Sequence, residues 1–371
     1  MSASQWRRAM NRQPLAPRAP GVPALPVTPT EAAPRAAPFW RVIRLRHAIT
    51  LLAVLLLPFV ATPFFTFQVA AQALVLGLIA LSLTFLAGYG GMVSLAQMTV
   101  AGIAGYGVAV LGTSSAAEIS LGWPWWLAVP FAVFIAAVCA TLIGWLSVRT
   151  EGIYTIMITL AIGVAFYYLV LQNYSVFNGF QGLRELKPPT VFGVQWRDPL
   201  PFYFLSLFCA LAGYWAVQWV VRAPFGIALQ GIRDNPRRMA ALGYHVVAHR
   251  VAAYALAGVL AAVGGILLAW YNGLMTPGSV GTSWLINILV VAVLGGMRHP
   301  IGAFIGAILF VLLQTFAIDL VDRERFNLVI GGVFLVIVLC SPDGLLGLWV
   351  KARARFAPKQ TMTTPTPRRQ A

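Results

Sequence analysis

Long uncharged stretches of apolar residues repeat along most of this chain. From about residue 48 onward, each comes close to the ~20 residues that span a ~30 Å hydrocarbon core as a helix. The stretches do not alternate between apolar and polar positions, so the pattern predicts helices and not the strands of a barrel. The ten predicted spans are approximately 48–67, 69–88, 93–112, 124–148, 153–171, 202–221, 250–271, 284–297, 301–318 and 327–350. We therefore expect an all-α polytopic membrane protein with about ten transmembrane helices within residues 47–350.

Composition supports a membrane protein and excludes most soluble folds. Hydrophobic residues make up 59% of the 371 positions and charged residues only 10%, and the mean hydropathy is +0.80. A soluble domain is about a quarter charged, because it must present a surface that water can solvate. The solvent around most of this chain is therefore expected to be lipid.

The basic residues are distributed unevenly between the two sides of the predicted membrane. If the N-terminus is inside and each span crosses once, 21 of the 26 Lys and Arg residues lie in inside segments. The five outside are Arg184, Lys187, Arg197, Arg323 and Arg325. Because cytoplasmic loops carry an excess of Lys and Arg, we expect cytoplasmic termini, a lipid bilayer as partner and no nucleic-acid binding, despite the net charge of +16.

Both ends of the chain differ from the apolar middle. Residues 1–46 are rich in Pro, Ala and Arg, and residues 351–371 combine Pro with polar residues. Neither segment has enough contiguous apolar surface to fold by itself, so we predict a disordered basic cytoplasmic tail at each end.

The polar residues argue against catalysis and ion coupling within this chain. All ten acidic residues lie in a terminus, a loop or a predicted span end, which leaves no carboxylate at membrane depth to carry a proton or hold a cation. A phosphate-binding loop requires Gly-Lys-Ser/Thr, and no Lys here follows a Gly. We predict no enzyme activity, no metal site and no cofactor in this chain, so that any ATP and Mg would be bound by partner subunits.

One inside loop, residues 222–249, carries strong helix signals. Asp234 or Asn235 is a suitable N-cap, Pro236 is favoured at the first helical position, and Gly243 is favoured at the end. We predict a short capped helix here that bears an apolar patch. The segment expected to couple to a cytosolic motor subunit comprises Arg233, Asp234, Asn235, Pro236, Met239, Ala240, Ala241, Leu242 and Gly243.

Several stretches, in order along the chain, resemble a known family. They are Gly88–Gln97 followed by Gly102, Gly105 and Tyr106, then Thr150–Tyr154, then Gly226–Gly243 with Gly264-Gly265 and Val293–Gly296, and finally Ser341–Leu345. Together they resemble the permeases of branched-chain amino acid ABC transporters, most closely the LivM-type subunit. The resemblance covers about residues 48–350.

The resemblance implies a type II ABC importer permease that works by alternating access in the bacterial inner membrane. It implies a second permease subunit similar to LivH, two cytosolic ATPase subunits similar to LivG and LivF, and a periplasmic substrate-binding protein. The chain departs from the family at Ala96-Gln97, at Met297–Pro300 and at Arg238-Met239. Importers of urea, amides or other small organic solutes therefore stay open as alternatives, as does a stand-alone secondary transporter.

The predicted spans also indicate where a pathway would lie. The stretch 284–297 is short, contains Asn287 and ends at two glycines, a pattern typical of broken or re-entrant helices beside a transport path. Its counterpart is Gly88–Gln97. The tentative pathway residues are Ser94, Gln97, Thr155, Thr159 and Asn287. For each of them, a hydrogen bond between helices is the alternative interpretation.

Overall fold

The computed structural model describes residues 54–116, 118–150, 152–191 and 193–320, and, towards the C-terminus, residues 331, 332, 334–336, 339 and 344–347. The predicted tails at 1–46 and 351–371, residues 48–53 of the first predicted span and most of the predicted span at 327–350 lie outside the described residues. One compact unit begins at Leu56. The fold below is the fold of this unit.

The described part of the chain is mostly helical. Its α-helices are α1 (Gln72–Gly90), α2 (Gln97–Leu111), α3 (Trp125–Ser147), α4 (Ile153–Gln172), α5 (Tyr174–Phe177), α6 (Pro199–Arg222), α7 (Pro224–Asp234), α8 (Pro236–Ala241), α9 (Val246–Asn272), α10 (Thr282–Gly295) and α11 (Pro300–Leu320). A π-helical segment, Phe65–Ala71, continues directly into α1, and 3₁₀ turns lie at Gly179–Gln181 and Pro277–Val280. The strands are β1 (Leu183–Arg184), β2 (Thr190–Val191), β3 (Val194–Gln195) and β4 (Leu274–Met275).

Among the described residues, five helical segments are long and apolar enough to cross a membrane: Phe65–Gly90, α3, α4, α6 and α9. The predicted span 93–112 is the shorter, 15-residue α2. The predicted spans 284–297 and 301–318 correspond to α10 and α11, whose axes differ by 115° across the break between them. The structure thus shows a multi-pass membrane protein with five or six apolar spans, and ten crossings stay a prediction.

The boundary between the first two predicted spans lies earlier than the sequence pattern placed it. Residues 54–60 are helical, Ala61 and Thr62 are not, and the next helical segment runs unbroken through the predicted boundary near residue 68. Pro63 explains the position of the break, because proline lacks the backbone N–H and disfavours helical conformation in the residue before it.

Helix α9 lies at the centre of the helix bundle and packs against α1, α2 and α3. Small residues on α9 permit this close approach. Gly258 meets Ala140 of α3, Gly264 meets Ile79 of α1, and Gly265 meets the backbone of Ala101 on α2. A stripe of alanines at four-residue spacing on this helix is fully buried: Ala253, Ala257, Ala261 and Ala269 are each 0% exposed.

Helices α10 and α11 pack backbone against backbone beside the break that joins them. A Cβ atom on Gly302 would lie 3.0 Å from the carbonyl oxygen of Gly295, and one on Gly306 would lie 2.8 Å from the Gly295 nitrogen. Real Cβ atoms almost never approach backbone this closely, so both positions require glycine. The two glycines of the Gly302-x-x-x-Gly306 motif therefore make a close helix contact within this chain.

Helices α3, α4 and α6 expose large apolar side chains, whereas α1 is mostly buried. Phe134, Met157 and Phe208 are each at least 60% exposed. Trp123, Trp125 and Trp126 are exposed near the start of α3, and Trp145 and Trp219 are exposed near the ends of α3 and α6. Exposed apolar faces with tryptophans near their ends are typical of helices that face lipid.

Three loops join at one end of the bundle, which we call the cap end: residues 112–124, 173–198 and 273–281. Strand β1 pairs antiparallel with β4, with Leu183 opposite Met275, and β2 pairs with β3. Ser115 donates its backbone N–H to the carbonyl of Arg184 (2.9 Å), and Leu186 donates to Gly273 (3.0 Å). Helices α7 and α8 lie at the other end, which we call the coupling end.

Candidate coupling and translocation sites

The predicted coupling loop contains two helices where the sequence indicated one. Helix α7 directly follows α6 after a turn at Ala223, and it has proline at its first position. It buries Ala228, Leu229 and Ile232 on one face and leaves Ile227 exposed. The spacing of these buried residues, i, i+1 and i+4, is the signal by which α7 is recognisable in the sequence.

Helix α8 is capped where the sequence predicted. The side-chain Oδ1 of Asn235 accepts a hydrogen bond from the backbone N–H of Arg238 at 2.9 Å, and Pro236 is the first helical residue. Gly243 follows the helix with φ = +90°, a conformation that favours glycine. The short capped helix is therefore present, and its caps fix both ends.

The apolar patch of α8 divides into a packed and an exposed part. Met239 packs with its sulfur against Gly231 of α7. Ala240, Ala241 and Leu242 are exposed, and Leu242 keeps 66% of its surface accessible. These three residues form the free apolar surface of the coupling segment.

Aromatic residues hold the start of α9 beside the two short helices. The ring of His249 stacks on Phe225 with centroids 5.7 Å apart, and Tyr244 meets the same imidazole edge-on at 5.8 Å. His249 Nδ1 also lies 2.9 Å from the carbonyl oxygen of His245. These contacts give His249 a packing role at the coupling end.

A groove of about 730 Å³ opens beside α8. Its walls are mostly apolar and come from the end of α3, from α8 and from the start of α9. The lining residues are Thr141, Trp145, Ala240, Tyr244, His245, Val246, Val247, Ala248, Val251 and Ala252. The exposed surface of α8 thus continues into a concave surface.

Arg233 faces the helix bundle as well as solvent. The guanidinium of Arg233 binds Asp234 Oδ1 through Nη2 at 2.8 Å and through Nε at 2.9 Å. Its Nη1 donates to the backbone carbonyl of Gly88 near the end of α1. Of the predicted coupling residues, Arg233 therefore contacts this chain's own transmembrane helices.

Four of the five tentative pathway residues surround the break between α1 and α2, which we call the first break (Met92–Ala96). Ser94, Gln97 and Thr159 are at most 1% exposed, and Thr155 is 6% exposed. Thr159 Oγ1 accepts a hydrogen bond from the backbone N–H of Leu95 at 3.1 Å. Ser94 Oγ accepts from the N–H of Ala96 at 3.3 Å. Both side chains therefore hold the backbone of the break.

The other two residues of this group are also hydrogen-bonded within the protein. Gln97 Oε1 accepts from the hydroxyl of Ser82 at 3.0 Å, which joins the start of α2 to α1. The hydroxyl of Thr155 donates to the carbonyl of Thr150 at 2.8 Å. In this conformation these polar groups hold neighbouring segments together through hydrogen bonds. They do not line an open cavity.

Asn287 is the fifth tentative pathway residue. It is half-buried on α10 and makes no hydrogen bond to the residues that the structure describes. Its amide is therefore available to another group.

Sequence reasoning missed a set of buried hydroxyl groups. Thr84, Thr99 and Tyr106 are each at most 1% exposed, and their hydroxyl oxygens have no hydrogen-bond partner among the described residues. Thr99 and Tyr106 are seven positions apart on α2 and so lie on one face of that helix. The sequence signal for these hydroxyls was the presence of threonines within an apolar run. Buried hydroxyls without partners are uncommon, so each one requires an explanation.

The described carboxylates agree with the expectation of no buried acid. Glu118, Glu185, Asp198 and Asp234 are all exposed. The other six acids are in parts of the chain whose side chains the structure does not describe. The described side chains therefore include no buried carboxylate.

A bundle of apolar helices with exposed apolar faces, and a capped helix pair at one end, defines a multi-pass membrane protein. The chain belongs to the family described as the branched-chain amino acid transport system permease component, whose model matches residues 65–339. The resemblance noted from the sequence is thus confirmed.

Individual relatives agree with this family. The LivM permease of the high-affinity branched-chain amino acid transport system of Escherichia coli K12 is 24% identical over 328 residues, which cover 81% of this chain and 75% of the relative. The LivH permease of the same organism is 24% identical over 73% of this chain and 90% of its own length. The autoinducer 2 import permease LsrD of Klebsiella pneumoniae is 27% identical over 76% of this chain and 84% of its own. No solved structure matches the chain.

Proposed function

We propose that this chain is the permease subunit of an ATP-driven importer that moves branched-chain or related amino acids across the bacterial inner membrane. The observation that carries the proposal is the pairing of a family match over residues 65–339 with a capped, exposed coupling helix at one end of the bundle. A free apolar surface on a short rigid helix suits a groove on a cytosolic ATPase subunit. The importer would use the type II fold, with ten crossings and both termini in the cytoplasm.

The partners follow from this assignment. A second permease subunit, similar to LivH, would supply the other half of the pathway. A periplasmic binding protein would deliver the substrate. Two ATPase subunits would bind ATP and Mg and move α8. In this proposal the chain performs no chemistry and holds no cofactor.

The exposed residues of α8 provide the test of the coupling assignment. Leu242→Asp or Ala241→Asp places a charge on a surface that we expect to be buried against the ATPase, so the yield of co-purified ATPase subunits should fall at least about tenfold. Uptake by proteoliposomes should fall with it. Leu121→Asp is the matched control, because Leu121 is 59% exposed at the cap end and should keep its ATPase subunits. Unchanged co-purification and uptake in the α8 variants would reject the assignment.

A second substrate class is supported by one comparison. LsrD, named as an autoinducer 2 import permease, matches 76% of this chain at 27% identity, so the same architecture carries solutes other than amino acids. Binding of leucine, isoleucine, valine, urea and amides to the cognate periplasmic protein, measured by calorimetry, decides between them. A secondary transporter is not favoured, since the described acids are exposed and the relatives are import-system permeases.

The pathway is proposed to run beside α2 and α10. Thr99 and Tyr106 carry buried hydroxyls without partners on one face of α2, and Asn287 carries an available amide on α10. Neutral hydrogen-bonding groups suit a zwitterion, whose charges cancel, better than a bare ion. Thr99→Val should raise the KM for uptake and leave ATPase co-purification unchanged; an unchanged KM would remove Thr99 from the pathway.

A further inference from the structure

At the end of α1, the backbone carbonyl of Gly88 accepts no hydrogen bond from its own helix. In a continuing helix the N–H of Met92 would bond to Gly88, but here the N–H groups of Gly91 and Met92 both donate to Leu86. Gly91 adopts φ = +67°, which ends the helix. The carbonyl of Gly88 therefore needs a donor from elsewhere.

Arg233 of α7 supplies that donor and fits only because of the local glycine. Its guanidinium bonds to Gly88 O and is held in place by Asp234. Its alkyl stem lies over Gly91, where an added Cβ atom would approach Arg233 Cγ to 2.6 Å. The positive charge also lies at the negative end of the α1 helix dipole, which adds to the attraction.

The same glycine contacts a second part of the molecule. On its other side, Gly88 packs directly against the backbone of Met297, in the break between α10 and α11. Five residues past Gly91, the first break reaches Ala96 and is fastened to α4 through Leu95 and Thr159. Gly88 is thus the point where α7, the end of α1 and the break between α10 and α11 meet, four residues before the first break begins.

We propose that Arg233 does not face the ATPase but acts as a positioning residue that ties α7 and α8 to the end of α1, so that displacement of α8 is passed to the first break. This proposal rests on the coupling role proposed above for α8. It assigns an inward role to Arg233, which Asp234 holds in place, and it leaves the exposed surface of Ala240, Ala241 and Leu242 for the partner.

Hydrogen–deuterium exchange of the complete transporter, read by mass spectrometry with and without ATP and Mg, tests this transmission directly. In the wild type, nucleotide should change amide exchange both at residues 236–242 and at residues 92–97. In Arg233→Gln the change at 236–242 should persist, while the change at 92–97 should fall about tenfold, as loss of one charge-assisted hydrogen bond implies. Arg233→Lys, which keeps a cationic donor, should give an intermediate value.

Gly91→Ala disrupts the same contact from the α1 side. It should reproduce the Arg233→Gln result, because the added Cβ atom displaces the arginine side chain. The double variant should be no worse than either single one. Gly122→Ala is the matched control: Gly122 has nearly the same φ, +65°, but nothing within 4 Å of an added Cβ. It should behave as the wild type.

The outcomes separate the two proposals. No nucleotide-dependent change at 236–242 in the wild type would overturn the coupling role of α8. A normal response at 92–97 in Arg233→Gln and Gly91→Ala would overturn the role of Arg233 alone. Loss of ATPase subunits from purified Arg233→Gln would also overturn it, because Arg233 would then contact the ATPase.

Discussion

The two breaks in the bundle are held by different means. The first break, Met92–Ala96, is fastened by side-chain hydrogen bonds from Thr159 and Ser94. The second break, Gly296–His299, is closed by backbone packing, with Gly302 and Gly306 against Gly295. Each hydrogen bond of the first break is directional and can be exchanged for another hydrogen bond separately. The backbone contacts of the glycines at the second break leave no room for an added atom. The first break is therefore suited to rearrangement, and the second is suited to stay fixed.

The largest effect is expected at the second break. In Gly302→Ala the new methyl group would meet the carbonyls of Gly295 and Gly296, so α10 and α11 must separate, at about 3 kcal/mol of folding free energy. The yield of monodisperse protein and the free energy of unfolding in mixed micelles measure this. Gly278→Ala, whose nearest neighbour would be 3.6 Å away, is the control. Equal stability of the two variants would contradict the contrast between the breaks.

A smaller effect is expected where one side chain holds the first break. Thr159→Val removes the acceptor for the buried N–H of Leu95, which should lower the free energy of unfolding by about 1 to 2 kcal/mol. Thr159→Ser keeps the hydroxyl and should stay close to the wild type. If valine and serine gave the same loss, packing and not the hydrogen bond would hold the break.

The bond between Ser82 and Gln97 should contribute less. Ser82→Ala removes the hydroxyl that donates to Gln97 Oε1, so a loss of about 0.6 kcal/mol is expected, close to the average for hydrogen bonds between membrane helices. A double-mutant cycle with Gln97→Leu measures the pair. A coupling energy of zero would show that the 3.0 Å contact does not fasten α2 to α1.

The smallest effect on stability is expected for Asn287. Its half-buried amide makes no hydrogen bond to the described residues, so Asn287→Ala should change the free energy of unfolding by less than about 0.5 kcal/mol. If Asn287 contacts the substrate, the KM for uptake should rise all the same. A loss of stability with an unchanged KM would assign it a structural role.

Local signals in the sequence were sufficient to predict that the long apolar runs are helical and to place the caps of α8. Asn235, Pro236 and Gly243 act within one or two turns, so their roles are visible without knowledge of the fold. Helix α7 escaped detection because it is short and contains Gly226 and Gly231, which weaken its helical pattern.

The pathway was harder to predict because polarity alone does not show what a buried residue contacts. Thr159 and Leu95 are 64 positions apart, and only the packed structure reveals that they bond. The same limit applies to Arg233, whose partner Gly88 is 145 positions away. A buried polar residue in an apolar span therefore marks a site of interest, but its role depends on tertiary contacts.

The cap end also joins two long helices of the bundle. Strands β1 and β4 join the loop before α6 to the loop after α9, so both helices are pinned together at that end. The 27 residues of α9 form a rod of about 40 Å. A tilt of about 5° around the pinned end would displace the start of α9 by about 3.5 Å. If α9 tilts about the strands at the cap end, the largest displacement therefore occurs at its other end, beside α8.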